Sequence, residues 1–219
     1  MALVCGIDEA GKGPAIGPMV MCGLVVKEKD VPKLKSLGVK DSKLLTPRTR
    51  ERMFSEIKKI AHNYKIVKIQ PKEIDNIIMN RKEMNLNWLE ALTSADLINS
   101  LKPDKAILDC PSPNLAAYKK YVKKILDNKK LNLVAAHKAD QKYPVVSAAS
   151  ILAKVTRDRE IEKLKKKVGM DFGSGYPADP NTIHFLEHHS HNFPDILRHS
   201  WKTVKNIKLK KSQSNLNSF

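Results

Sequence analysis

A mixed-sheet fold of the α/β or α+β class is predicted from three observations. Two apolar runs, Leu3 to Ile7 and Val20 to Val26, lie close enough to pair. Downstream, short apolar runs alternate with helical patterns. The longest helical pattern, from about Val145 to Val168, repeats Ala148, Ile151, Leu152 and Val155 at the i, i+3, i+4, i+7 spacing of one buried face.

The elements follow in order. Leu3 to Ile7 reads as a strand ending at Asp8-Glu9, and Gly11, Gly13 and Pro14 turn the chain after it. Val20 to Val26 is the second strand, and Lys35 to Leu45 reads as a loop. Thr46-Pro47 opens a helix, with Thr46 as N-cap and Pro47 at the first helical position. Ile66 to Ile69 is a third strand. Two helices follow, one from Pro71 and one from about Asn85 to Leu101; the second buries Trp88, Ala91, Leu92, Ala95 and Ile98. Lys105 to Asp109 is a strand ending in an acid, Asn114 to Asp127 is helical, and Leu131 to Ala136 is the fifth strand. After the long helix comes a Gly/Pro-rich loop from Gly169 to Pro180, then helical segments at Thr182–His188 and Asp195–Trp201. From Lys202 to Phe219 the chain turns basic, then polar, and is expected to be a mobile tail. The expected division is therefore a sheet domain at 1–168, a small helical part at 169–204 and a flexible tail at 205–219.

Composition narrows the function classes. The 219 residues suffice for a substantial core without structural metal. Only three cysteines occur, which excludes a disulfide framework or zinc ribbon and fits a reducing compartment. No apolar stretch reaches the roughly 18 residues of a membrane span, and no secretory pattern precedes Asp8-Glu9, so a cytoplasmic protein is expected. The balance of 40 Lys+Arg against 23 Asp+Glu gives a net charge of +17, which suits a polyanionic partner.

Against that background Asp8, Glu9, Asp109 and Asp140 stand out, each at or just after a predicted strand end. In open α/β sheets the ligand site lies beyond the carboxyl ends of the strands. Convergent carboxylates repel one another unless protons or cations compensate them. Oxygen-only donors select Mg²⁺ or Mn²⁺ over zinc, and beside a basic surface they suggest two-metal phosphodiester cleavage. The competing reading is an N-cap or Asx-turn, and for Asp109 before Cys110-Pro111 the two stand about even. The stretch Gly6 to Lys12 has P-loop spacing, but Gly13 stands where Ser or Thr should hold Mg²⁺ and two acids occupy the loop, so nucleotide-triphosphatase activity is rejected.

Several blocks resemble type 2 ribonuclease H in its archaeal form. They are Gly6-Ile7-Asp8-Glu9-Ala10-Gly11-Lys12-Gly13-Pro14 with Gly17-Pro18-Met19-Val20, Asp41-Ser42-Lys43-Leu44-Leu45, Leu108-Asp109, the run from His137 to Asp158, Gly173-Ser174-Gly175-Tyr176-Pro177, and Ser200-Trp201-Lys202-Thr203. The resemblance runs in order from Leu3 to about Val204. It implies an RNase H-like fold, a mixed five-stranded sheet flanked by helices, with a small helical C-terminal part. The implied activity is metal-dependent endonucleolytic cleavage of RNA in RNA–DNA hybrids and 5′ of single ribonucleotides in duplex DNA. The products carry 3′-hydroxyl and 5′-phosphate ends, and the implied roles are ribonucleotide excision and RNA primer removal. The family's metal ligands map onto Asp8, Glu9, Asp109 and Asp140, the same four acids, with Mg²⁺ or Mn²⁺, two ions, as cofactor. Substrate contacts map onto Gly11, Lys12, Gly13, Lys43, Ser147, Lys154 and Tyr176. Lys12 replaces the family's usual Arg, which turns a bidentate phosphate contact into a point charge. Tyr176 matches the tyrosine at the ribonucleotide–deoxynucleotide junction. The histidines His184, His188, His189 and His191 lack Cys or Asp partners and read as surface or core residues.

Two alternatives belong beside this reading. Type 3 ribonuclease H shares the fold but carries an extra N-terminal binding domain; a non-catalytic hybrid-binding protein would not need clustered acids. A monomer is expected. At the C-terminus, Gln213, Leu216 and Phe219 resemble the motif that binds the PCNA sliding clamp: Leu216 and Phe219 share one face of a helical turn and Gln213 hydrogen-bonds beside them.

Overall fold

The computed structural model describes residues 1–39, 45–80 and 84–216. Its sheet has five strands: β1 (Leu3–Ala10), β2 (Met19–Lys27), β3 (Asn63–Ile69), β4 (Lys105–Asp109) and β5 (Asn132–Ala136), in the order β3-β2-β1-β4-β5. Helices alternate with the later strands: α1 (Val31–Ser36), α2 (Pro47–Ile60), α3 (Pro71–Asn80), α4 (Leu86–Leu101), α5 (Leu115–Ile125), α6 (Ala139–Lys142), α7 (Pro144–Val168), α8 (Pro180–His188) and α9 (Lys202–Leu216). The sheet is mixed, as expected. β1 is antiparallel to β2 and parallel to β4, and β4 is parallel to β5.

Strand β1 is central and buried along almost its whole length, which is why it reads as a continuous apolar run rather than an alternation. Its parallel register pairs Ile7 with Leu108, so Asp8 and Asp109 leave adjacent strands at the same level. Thr46 caps α2 through its side-chain oxygen, which accepts from Thr49 N, and Pro47 sits in the first turn. Asn85, Asn114 and Asp179 cap α4, α5 and α8 in the same way.

The chain divides into two compact units, interleaved in sequence rather than consecutive. The first comprises Met1–Ala10, Val20–Lys68 and Asn85–Thr156. Its core sets Val4, Val20, Cys22, Leu24, Val26 and Ile107 of the sheet against Val145, Ala148, Ala149, Ile151, Leu152 and Val155 of α7. Small residues on α7 allow close approach: a Cβ at Gly6 would stand 2.4 Å from both C and O of Val145. The second unit comprises Gly11–Met19, Ile69–Met84 and Arg157–Phe219. Ala15, Ile16, Ile161, Phe172, Phe185, Leu197 and Val204 form its core, with the Phe172 and Phe185 rings 5.4 Å apart.

Three expectations are corrected. The segment read as a loop from Lys35 begins inside α1, a helix too short to show a periodic stripe. Asp195–Trp201 is not a continuous helix: a 3₁₀ turn at Pro194–Ile196 gives way at Leu197 to extended backbone, which bridges to Ile16. The chain from Lys202 is helical through Leu216 rather than a loose tail from its start, because Val204 is buried in the second core and Ile207 packs against it. Among the described residues no helix is long and apolar enough to cross a membrane.

Candidate active site

The first unit gathers Asp8, Glu9 and Asp109. Each offers a carboxylate oxygen, and the three oxygens lie within 4.8 Å of one another. The convergence follows from strand order: β1 delivers the adjacent pair and its parallel neighbour β4 delivers the third acid. Asp8 is buried, while Glu9 and Asp109 are partly exposed. Burial first, then the charges of Glu9 and Asp109, raise the Asp8 pKa well above the usual carboxylate range. A hydrogen bond from the Ser150 side chain and one of 2.8 Å from Glu9 N to Asp8 Oδ1 act against that rise. Asp109 accepts from Ala139 N at 2.6 Å through Oδ1. That bond ties the end of β4 to the start of α6, which carries Asp140.

Asp140 stands one residue after Ala139 and is partly buried, but it is not among the three acids whose oxygens converge. Its backbone carbonyl accepts from Ser147 Oγ, which also donates to Tyr143 O at 3.2 Å. Ser147 is buried, so its hydroxyl holds the α6–α7 turn. Lys154 lies further along α7, partly exposed. Lys43 lies outside the described residues.

The second unit gathers the remaining expected contacts. Gly11 adopts φ +83°, and a Cβ there would stand 2.9 Å from Pro18 O and 3.2 Å from Arg157 Cγ, so only glycine fits. Gly13 packs beside Tyr176: a Cβ on it would lie 3.6 Å from Tyr176 Cε1. The Arg157 guanidinium lies 5.2 Å from the Tyr176 ring centroid, and its Nη2 donates to Ser174 O at 2.7 Å. Lys12 lies between the two glycines, partly exposed. The loop carrying Tyr176 is braced from below: Ser174 N donates to Asp179 Oδ2 at 2.7 Å, and Gly175 N to Thr182 Oγ1 at 3.0 Å.

Three residues carry roles that the sequence did not assign, although Trp201 lies in a block of the resemblance. Arg198 is fully buried and donates from Nε to Gly17 O at 3.0 Å, from Nη1 to Lys12 O at 2.8 Å and from Nη2 to Gly11 O at 2.6 Å. Trp201 Nε1 donates to Gly13 O at 3.0 Å. Buried Asp75 accepts from His199 N, Ser200 N and Ser200 Oγ at 2.7, 2.9 and 2.6 Å. An arginine followed two residues later by Ser-Trp is the available signal for the first two, and nothing local marks Asp75. Gln213 is exposed on α9, Leu216 is its last residue, and Phe219 lies outside the described residues.

The donor set fits a hard divalent cation: oxygen ligands only, in surroundings that disfavour the Asp8 anion as a cation would not.

Comparison with known proteins agrees with this geometry. The Ribonuclease HII family profile matches residues 5–204. Ribonuclease HII of Pyrococcus furiosus is 51% identical, covering 98% of this chain and 96% of that protein. The crystal structure of the ribonuclease H2 from Pyrococcus horikoshii OT3 superposes with a TM-score of 0.87 at 44% identity, covering 95% of this chain and 98% of that one. The RNase HII in the structure of the PCNA:RNase HII complex from Archaeoglobus fulgidus gives 0.82 at 42% identity, covering 93% of this chain and 96% of that one. With the family's profile matching residues 5–204 and a relative 51% identical over nearly the whole chain, this chain belongs to the ribonuclease HII family.

Proposed function

We propose that this chain cuts the RNA strand of RNA–DNA hybrids, and duplex DNA 5′ of a single embedded ribonucleotide, by divalent-metal-assisted hydrolysis that leaves 3′-hydroxyl and 5′-phosphate ends. The observation that carries the reading is the convergence of Asp8, Glu9 and Asp109 within 4.8 Å on a protein of net charge +17. A passive hybrid binder gains nothing from acids that repel phosphate. Divalent cations, Mg²⁺ or Mn²⁺ and two of them, would offset charge on the scissile phosphate and acidify the attacking water. The chain's own contribution is placement. Ser150 and the Glu9 amide orient Asp8, and the Ala139 amide fixes Asp109 by donating to its Oδ1. Asp140 completes the ligand set in this reading. Gly11, Lys12, Gly13 and Tyr176 recognise the ribonucleotide, with Lys43 and Lys154 on phosphates.

The decisive experiment uses a DNA duplex bearing one ribonucleotide, with and without Mg²⁺ or Mn²⁺, with products mapped to the nucleotide. One metal-dependent cut 5′ of the ribonucleotide is expected, with an all-DNA duplex left intact. Metal-independent cutting to a cyclic phosphate would overturn the reading, because that product requires attack by the 2′-hydroxyl itself.

Tyr176→Ala tests the junction role. The half-exposed ring beside Gly13 suits stacking on sugar or base. Since such stacking is worth about 1–3 kcal/mol, cleavage at a single embedded ribonucleotide should fall roughly tenfold or more. Wild-type rates on that substrate would remove Tyr176 from recognition.

The C-terminal motif is proposed to bind the PCNA clamp, a reading supported by the Archaeoglobus fulgidus relative solved with PCNA. Gln213 is exposed, as a docking residue must be. Removing residues 213–219 should abolish capture by the organism's own clamp while leaving hydrolysis of a short free substrate unchanged. Equal capture of both forms rejects the motif.

A further inference from the structure

The recognition loop 11–13 is held from behind by two side chains. Arg198 spends all its hydrogen bonds on backbone: Nη2 on Gly11 O, Nη1 on Lys12 O and Nε on Gly17 O. Its own amide donates to Ala15 O at 2.9 Å. Trp201 stacks 4.8 Å from the guanidinium and gives its indole N–H to Gly13 O. Thus three successive carbonyls, those of Gly11, Lys12 and Gly13, are drawn to one side by side-chain donors.

Peptide geometry sets the consequence. No peptide bond among the described residues is cis. In a trans unit the C=O and the following N–H point in opposite directions. Drawing the Lys12 carbonyl inward therefore aims the Gly13 N–H outward. Pro14 contributes no donor. Gly13 is exposed, and among the described residues its N–H meets no protein acceptor. A glycine at this position lets a ligand oxygen come close.

Energetics separate this arrangement from simple packing. The fully buried Arg198 guanidinium spends its hydrogen bonds on carbonyls, with Asp75 acting on it through charge, and taking a cation out of water in this way is costly. Burial, with the charge of Arg157, pushes Arg198 down to about 9, so it remains a cation at neutral pH. What arginine adds is a planar fork whose N–H edges fit three carbonyls at fixed angles, which lysine cannot reproduce. Asp75 fixes the clamp itself by accepting from both amides between Arg198 and Trp201, those of His199 and Ser200.

We infer that Arg198, with Trp201, is a positioning residue for ribose discrimination, orienting the loop peptides so that the Gly13 amide donates to the ribonucleotide 2′-oxygen. The inference rests on the hybrid-cleaving function proposed above.

The test compares wild type, Arg198→Lys and Trp201→Phe as full-length proteins. Single-turnover cleavage of a duplex with one ribonucleotide is measured against a competing all-DNA duplex, with thermal melting of each variant recorded. The readout is discrimination, the inhibition constant of the all-DNA duplex divided by the half-saturating concentration of the ribonucleotide duplex. Arg198→Lys should lower it about tenfold and Trp201→Phe about fivefold, the scale of losing well-aligned hydrogen bonds. The inhibition constant of the all-DNA duplex should not change. Discrimination retained within twofold in both variants overturns the inference, as does a parallel loss of affinity for both duplexes, which a general packing defect would give. If Arg198→Lys melts before assay, Trp201→Phe, which keeps an aromatic side chain but removes the donor, decides alone by the same criteria. A wild-type protein that does not cut the ribonucleotide duplex fails the proposed function instead, so the two failures are distinguishable.

Discussion

Replacing Asp109 with Asn should reduce metal-dependent cleavage by about 10³-fold, and Asp8→Asn should do the same. A metal-held phosphate draws several kcal/mol of transition-state stabilisation from its ligand set, and each 1.36 kcal/mol is tenfold in rate. Both substitutions preserve the local fold, because an amide oxygen still accepts from Ala139 N at position 109 or Glu9 N at position 8. The apo protein should gain stability from Asp8→Asn. Folding raises the Asp8 pKa through burial and through Glu9 and Asp109, so the native state binds the proton more tightly than the unfolded chain. The contribution of Asp8 to stability is then full below the ordinary carboxylate pKa and is lost as pH rises toward the raised native value. Melting in EDTA should thus fall with pH for the wild type and less steeply for Asp8→Asn. Each 1 kcal/mol moves the melting temperature by about 2–4 °C in a chain of this size. Single-turnover rates from nuclease-free preparations check the first expectation, and turnover near wild type for either variant removes that acid from the metal set.

Gly6→Ala should be the most damaging small substitution to the fold. The new Cβ would lie 2.4 Å from Val145 C and O and 2.6 Å from Val146 N, all backbone atoms at the start of α7. Nothing flexible can give way, so β1 and α7 must separate, at a cost of about 3 kcal/mol. The separation also reaches the site, because α7 carries Ser150, which holds Asp8. A melting temperature lowered by roughly 6–12 °C together with a reduced rate is the expected pair of results. An unchanged melting temperature would mean that the sheet and helix are not in such contact.

The strands and the carboxylates were legible for one reason: both leave short-range marks. β1 and β2 are buried along nearly their whole length, so both read as apolar runs, and Asp8-Glu9 break the first of them abruptly. The helix over Leu86–Leu101 declared itself through Ala91, Ala95 and Ile98, which are all buried. Asp140 follows β5 in the sequence, yet it stands on α6, a turn of helix positioned by the bonds from Ala139 N to Asp109 and from Ser147 Oγ to Asp140 O. Arg198 and Asp75 left no local trace. Arg198 works on carbonyls more than 180 residues away, and Asp75 on amides 124 and 125 positions later, so neither produces a pattern within one window. The C-terminal helix was missed because its anchoring is sparse: Val204 buried and Ile207 packed against the core, among lysines.

The central place of β1 also bears on how the chain is made. During synthesis β2, the antiparallel neighbour of β1, follows it within a few residues, so one edge is covered almost at once. The other edge pairs with β4, whose first residue lies about 100 positions downstream. Until then an apolar strand shows open backbone donors and acceptors to whatever chain is nearby. This non-local parallel pairing is slow to close and prone to intermolecular mispairing. The same delay means that Asp109 is made about 100 residues after Asp8 and Glu9, so the carboxylate triad can assemble only once that whole intervening stretch has been added.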